Sequence, residues 1–188
     1  MRSPAWKGAL LAVVLAAAAA GCSSGHRQRH VAPATTSTTP APEPGRPDPR
    51  RFLSSNDAAK TAQLTMIASL GPSNNGFNFD DYGRGELIAY VPKGWRVTVL
   101  CENRGSRRAS CAVVPGARSA TIAFPGASVS MPLQGLSPGA KAQFSFTPTH
   151  TGSFRIVSLV PGQAEARMYA VLVVNRAGRP SITARPGP

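Results

Sequence analysis

The strongest constraint on this chain's fold is how often its apolar segments are cut. Between residues 60 and 175, turn-forming clusters recur after every short run: Pro92-Lys93-Gly94, Pro115-Gly116, Pro125-Gly126, Ser137-Pro138-Gly139, His150-Thr151-Gly152 and Pro161-Gly162. All carry Gly, which tolerates left-handed geometry, and all but His150-Thr151-Gly152 add Pro with its fixed backbone angle, which is the chemistry of tight turns. With 18 Gly and 18 Pro in 188 residues, long helices would be broken repeatedly, so bundles and coiled coils are excluded. Between the turns, Val97, Val99 and Cys101 alternate with Arg96, Thr98 and Leu100, and Ala142, Phe144 and Phe146 alternate with Lys141, Gln143, Ser145 and Thr147. Period-two alternation marks half-buried strands. Strands are expected at 62–70, 86–91, 96–101, 110–114, 120–124, 141–147, 153–160 and 168–175, with the Val171–Val174 run as a central strand buried on both faces. Eight short strands at this spacing predict an all-β, Greek-key sandwich or barrel.

The N-terminus predicts export. Arg2 and Lys7 precede an unbroken apolar stretch from Ala9 to Ala20, ending in Ala19-Ala20-Gly21-Cys22. Twelve helical residues reach about 18 Å, short of a roughly 30 Å hydrocarbon core, so this is a signal h-region. The ending resembles the lipobox of bacterial lipoproteins, in which the Cys is lipidated and becomes the first mature residue. That resemblance implies cleavage after residue 21, a diacylglyceryl thioether on Cys22, and a lipid-anchored protein on the extracytoplasmic side of the cell membrane; two acyl chains suffice for stable anchoring. Residues 22–51 have almost no large apolar side chains and include the Pro/Thr-rich run from Ala32 to Pro44, so they are expected to be a disordered tether. His26 and His30 fall in this tether and are read as incidental. A folded domain is expected over 52–178, followed by a flexible tail at 179–188.

The chain carries 21 Lys+Arg against 8 Asp+Glu, a net charge of +13. The arginines are scattered, without a Lys/Arg block or interleaved aromatic platform, so nucleic acid is not the expected partner. Asp80, Asp81 and Glu86 are the only acidic group, and beside Gly83 and Gly85 they read as a turn rather than a cation or hydrolase site. No Ser-His-Asp or Cys-His constellation supports an enzyme.

One resemblance is more specific. Phe77-Asn78-Phe79-Asp80-Asp81, Gly85-Glu86-Leu87 and Val91-Pro92-Lys93-Gly94-Trp95-Arg96-Val97 resemble the opening of a sulfocyanin-type cupredoxin domain. Gly135-Leu136-Ser137-Pro138-Gly139, Phe144-Ser145-Phe146, Thr151-Gly152-Ser153-Phe154 and Val160-Pro161-Gly162 ending at Met168 follow the same order, so the resemblance spans roughly residues 62–175. It implies a copper electron carrier. In that family three ligands lie on one loop as Cys-x4-His-x4-Met, and an earlier His follows the strand matching 96–101. This sequence keeps the spacing but carries Ser158 for Cys and Gln163 for the loop His, leaving only Met168; the earlier His corresponds to Ala109. A blue-copper centre needs two imidazoles and a thiolate. Copper is therefore the cofactor the family implies, but its ligands are largely lost, and none is expected here. Ser158 and Gln163 are expected to hydrogen-bond each other as a buried polar pair.

Once Cys22 is committed to lipidation, Cys101 and Cys111 remain, an even number in an exported chain. They flank nine residues between two expected strands, and a cross-strand disulfide is expected. A thiol metal site lacks further ligands, and a catalytic thiol lacks a nearby base. Arg104, Arg107 and Arg108 on that loop, with Arg167 beside Met168, are candidate contacts to an anionic surface or an unidentified envelope protein. The expected function is a non-enzymatic binding module; copper binding or electron transfer, as the family implies, is the alternative.

Overall fold

The computed structural model describes residues 45–116 and 119–186. The expected signal segment, Cys22, His26, His30 and most of the tether lie outside the described residues.

Nine strands form two sheets. They are β1 (Leu53–Asn56), β2 (Thr61–Ala68), β3 (Leu87–Pro92), β4 (Arg96–Asn103), β5 (Ala112–Val114), β6 (Lys141–Phe146), β7 (Gly152–Val157), β8 (Tyr169–Asn175) and β9 (Ser181–Ala184). One sheet has the order β1-β2-β4-β6, the other β5-β7-β8-β3-β9. From β2 to β7 the chain alternates between the sheets, and the crossings leave two parallel pairs, β2 with β4 and β3 with β8, among antiparallel neighbours. This is an all-β Greek-key sandwich.

Register explains the core. Leu64, Val99 and Phe144 stand side by side across the first sheet, as do Ala62, Val97 and Phe146. In the second, Ala89, Leu172, Phe154 and Ile182 form the matching row. All ten are buried and belong to one hydrophobic cluster. The alternation read in β4 and β6 is the pleat that puts these rows inside and Thr98, Gln143 and Ser145 outside, where Thr98 and Ser145 hydroxyls meet at 2.9 Å. Each fully buried large apolar side chain contributes about 1.5–3 kcal/mol of transfer free energy.

Five expectations need correction. Val171–Val174 is not buried on both faces: Leu172 and Val174 point inward, while Val171 and Val173 lie half-buried on the outer face. Residues 120–124 form no strand; the segment is tied to β5 by one bond, from the Ala123 N–H to the Val113 carbonyl (2.8 Å), and Phe124 drops into the core. Residues 179–188 are not simply a loose tail, because β9 pairs with β3 from Leu87↔Ala184 to Tyr90↔Ser181. Residues 46–51, expected within the tether, are part of the folded domain. A 3₁₀ turn at Pro49–Phe52 is capped by Asp48, Arg46 pairs with Glu86 at 2.7 Å, and the Tyr82 hydroxyl donates to the Pro47 carbonyl at 2.6 Å. The domain boundaries of 52–178 are therefore too narrow at both ends.

The fifth concerns the disulfide. Cys101 and Cys111 are bonded, with Cα atoms 6.0 Å apart. Cys101 lies on β4 and Cys111 immediately precedes β5, and these belong to different sheets. The bond therefore staples sheet to sheet instead of joining paired strands.

Candidate functional site

The positions singled out in the sequence meet at one end of the sandwich, beside this staple. Backbone bonds shape the loop after β7: Ser158 N–H donates to the Met168 carbonyl (3.3 Å), Gln163 N–H to Val160 (3.1 Å) and Met168 N–H to Gln163 (3.0 Å). Ser158 and Met168 are thus neighbours although ten residues apart in sequence. The 103–111 segment closes against this loop. Ser110 N–H donates to Ser158 Oγ at 2.9 Å, the two hydroxyls lie 3.4 Å apart, and Leu159 N–H donates to Ser110 Oγ at 2.9 Å. Gln163 Nε2 donates to the Arg108 carbonyl at 2.6 Å. Ala109 lies between these two anchor points and pairs through its backbone with Leu136 (2.7 and 3.2 Å). The structure therefore gathers Ala109, Ser158, Gln163 and Met168, all buried. It does not pair Ser158 with Gln163, correcting that expectation: Ser158 is engaged by Ser110, Gln163 by the Arg108 backbone, and Gln163 Oε1 is buried without a hydrogen-bond partner.

The chain matches the family model described as the Sulfocyanin (SoxE) domain over residues 50–182. The chain belongs to the sulfocyanin family. It is 29% identical over 136 residues to sulfocyanin from Sulfolobus acidocaldarius, an alignment covering 66% of this chain and 67% of that protein. Its fold is also similar to reduced auracyanin from Roseiflexus castenholzii (18% identity, 60% of this chain and 96% of that chain, TM-score 0.46) and to a rusticyanin variant (19%, 66% and 87%, TM-score 0.49).

Sulfocyanin membership raises the question of copper, and the donor set answers it. At the positions that the resemblance assigns to copper ligands stand a methyl (Ala109), a hydroxyl (Ser158), an amide (Gln163) and a thioether (Met168). The hydroxyl and the amide N–H are already used within the protein. Type 1 copper requires thiolate and imidazole in its plane. The residues present do not fit that group, and no step is assigned to it. His150, the one imidazole of the domain, packs at the far side of the core against Phe124 and Phe154, with ring centroids 5.1 and 5.4 Å away. Among the described residues no three His, Cys, Asp or Glu side chains are grouped as a metal site.

Beside the sulfocyanin pole lies a cleft of about 220 Å³, whose lining includes Phe77, Arg107, Arg108, Ala109, Gln163 and Met168. The expected arginine cluster divides here. Arg107 and Arg108 line the cleft, whereas Arg104 turns away to pair with Glu102 at 2.7 Å and Arg167 is exposed outside the lining. Arg104 is therefore withdrawn as an anion contact. Glu102 is held ionised chiefly by that Arg104 hydrogen bond, which lowers its pKa.

The acidic trio is a turn, as expected. Phe79 and Tyr82 exchange backbone bonds (3.0 and 2.7 Å) around Asp80 and Asp81, both left-handed at φ 57° and 67°, as a type I′ hairpin requires. Asp80 Oδ1 accepts from Ile67 N–H, Asp81 from Ser73 N–H, and Glu86 from Gly83 N–H and Arg46, so each carboxylate pins a different strand of chain.

Two residues of the pole were missed in the sequence. Ser110 stands 48 residues from Ser158, and no local spacing links them. Asn103 is buried and donates to the Arg107 (2.8 Å) and Leu136 (2.9 Å) carbonyls while its Oδ1 takes the Gly105 N–H. The Asn-x-Gly turn of Asn103-Arg104-Gly105 was the readable signal for the second.

Proposed function

We propose that this protein is a lipid-anchored, extracytoplasmic member of the sulfocyanin family whose former metal pole serves non-enzymatic binding. The observation that carries this reading is the fate of the ligand positions. Ser158 and Gln163 are not idle substitutions in an otherwise vacant pocket; their polar atoms cross-link the loop after β7 to the 103–111 segment. These bonds take the place of a metal in tying the pole together. The lipobox ending at Cys22 and the Pro/Thr-rich run before the domain support a module held off a membrane by a tether.

Two measurements on the full chain test this. Purified protein titrated with cupric ion stays colourless; an intense thiolate-to-copper absorption band would overturn the non-redox reading. Expressed in a bacterial host, the protein partitions into the detergent phase and Cys22→Ala shifts it to the aqueous phase. Equal partitioning of the two would overturn the anchor.

A further inference from the structure

Arg107 and Arg108 are held more firmly than surface arginines ordinarily are. Two buried amides grip their backbone from beneath: Asn103 Nδ2 donates to the Arg107 carbonyl at 2.8 Å and Gln163 Nε2 to the Arg108 carbonyl at 2.6 Å. Asn103 is 1% exposed and Gln163 6%. The guanidinium groups are also placed. Arg107 Cζ lies 5.1 Å from the centre of the Phe77 ring, and Arg108 Nη1 donates to Ser137 Oγ at 2.9 Å. Neither contact uses a carboxylate, and none of the residues lining the cleft is acidic. A guanidinium has five N–H donors, so each retains a face able to receive a planar anion in paired hydrogen bonds. Immobilising the arginines in advance lowers the ordering cost of binding.

We propose that this cleft binds a small organic carboxylate, its charge on Arg107 and Arg108 and its apolar body against the partly exposed Phe77 ring. The site rests on the non-redox reading above. Size limits the occupant. A cavity of about 150 Å³ holds benzene, so about 220 Å³ holds roughly nine non-hydrogen atoms, the size of benzoate. The lining is mixed, with Ser69, Asn75 and Ser106 beside Phe77, and the Phe77 ring is what separates a carboxylate with an apolar body from phosphate or sulfate, which would gain the charge contacts but bury nothing against it.

The test is calorimetric titration of the full-length protein with benzoate, butyrate and inorganic phosphate. Benzoate is expected to bind measurably at millimolar concentration and more tightly than phosphate. Arg107→Gln with Arg108→Gln is expected to weaken benzoate at least about tenfold, a loss of two charge-assisted contacts. Arg104→Gln leaves it unchanged, because that side chain already serves Glu102. All three side chains are exposed, so the variants fold, and unchanged melting temperatures confirm it. Phosphate binding as tightly as benzoate would reduce the site to diffuse attraction by a +13 protein, and an equal loss in Arg104→Gln would do the same. No benzoate binding by a protein that stays colourless with copper would overturn this site while leaving the non-redox reading intact; a blue protein would overturn that reading first.

Discussion

The two ends of this sandwich are closed by opposite means. At one end Phe124, Phe146 and Phe154 meet, with Phe124 ring centroids 5.5 Å from Phe146 and 4.8 Å from Phe154, and apolar contact does the sealing. At the other, Ser110, Ser158, Gln163 and Asn103 are buried polar groups joined by directed bonds. An apolar seal tolerates small shifts because dispersion and burial are non-directional. A polar seal holds only while each donor has its acceptor. The polar end is the one where the positions that the family resemblance matches to copper ligands come together.

The sharpest test of that statement converts the polar end back. Ala109→His, Ser158→Cys and Gln163→His together return the donor types that the family resemblance implies, with Met168 in place. The four positions already converge, and the cleft beside Ala109 and Gln163 gives an imidazole room. The triple variant is expected to turn intensely blue with cupric ion. A triple variant that is folded and colourless would show that the pole has lost the geometry as well as the donors.

The second test targets the apolar end. Phe124 is 2% exposed and touches both neighbouring rings, so Phe124→Ala should cost about 3–5 kcal/mol in denaturant unfolding. A loss below about 1 kcal/mol would mean that the end collapses to fill the gap, and that it is not the rigid half of the comparison. Beside the polar end stands the disulfide. With a sequence separation of 10, its removal as Cys101→Ala with Cys111→Ala should cost about 3 kcal/mol in the chain-entropy account. Because it joins the sheets beside Ser110, its loss should also raise hydrogen exchange at Ser110 and Leu159 before it does so around Phe154.

How much of this could be read from the chain depended on distance along it. β4 and β6 were legible because alternation is local: each residue's side is set by its neighbours. β1 and β9 were not, since Leu-Ser-Ser-Asn and Ser-Ile-Thr-Ala bury little of their own and become strands by pairing with β2 and β3. Residues 120–124 looked like a strand because they are apolar, yet flanking Pro and Gly residues leave no edge for them to pair along. At the pole it was the resemblance to the family that marked Ala109, Ser158, Gln163 and Met168. The bonds that tie the pole together were not legible, because Ser110 to Ser158 and Arg108 to Gln163 span 48 and 55 residues. The arginines were seen as a group, but only the fold separates Arg107 and Arg108 from Arg104.

A smaller effect sharpens the polar end itself. Ser158→Ala removes the acceptor of the buried Ser110 N–H and leaves the Ser110 hydroxyl with the Leu159 N–H as its remaining partner. Leaving the Ser110 N–H unpaired should cost about 1–3 kcal/mol. Ser110→Ala should remove the Leu159 N–H acceptor at similar cost, and the double variant should lose less than the sum because the two share one network. Additive losses in chemical denaturation would mean that the serines act separately.

The smallest effect concerns Asp80, which belongs to neither seal. Its side chain is fully buried; Oδ1 accepts from Ile67 N–H at 2.8 Å, and Oδ2 has no hydrogen-bond partner. Burial pushes its carboxyl well above the ordinary carboxylate range, outweighing the Ile67 N–H bond and the positive field of Arg104. The folded protein therefore holds this proton more tightly than the unfolded chain does. Linkage fixes the sign: this contribution to stability is fully present below the unfolded carboxylate's value, near 3.8, and is lost as pH rises through the raised folded value. Asp80→Asn keeps an oxygen for Ile67 and cannot titrate. Its melting temperature relative to the wild type should therefore climb as pH rises from about 4 toward neutrality, since the wild type alone has a buried carboxyl to ionise. If the two melting curves run parallel across that range, Asp80 does not titrate in the folded state, and the strain in this hairpin lies only in its left-handed backbone.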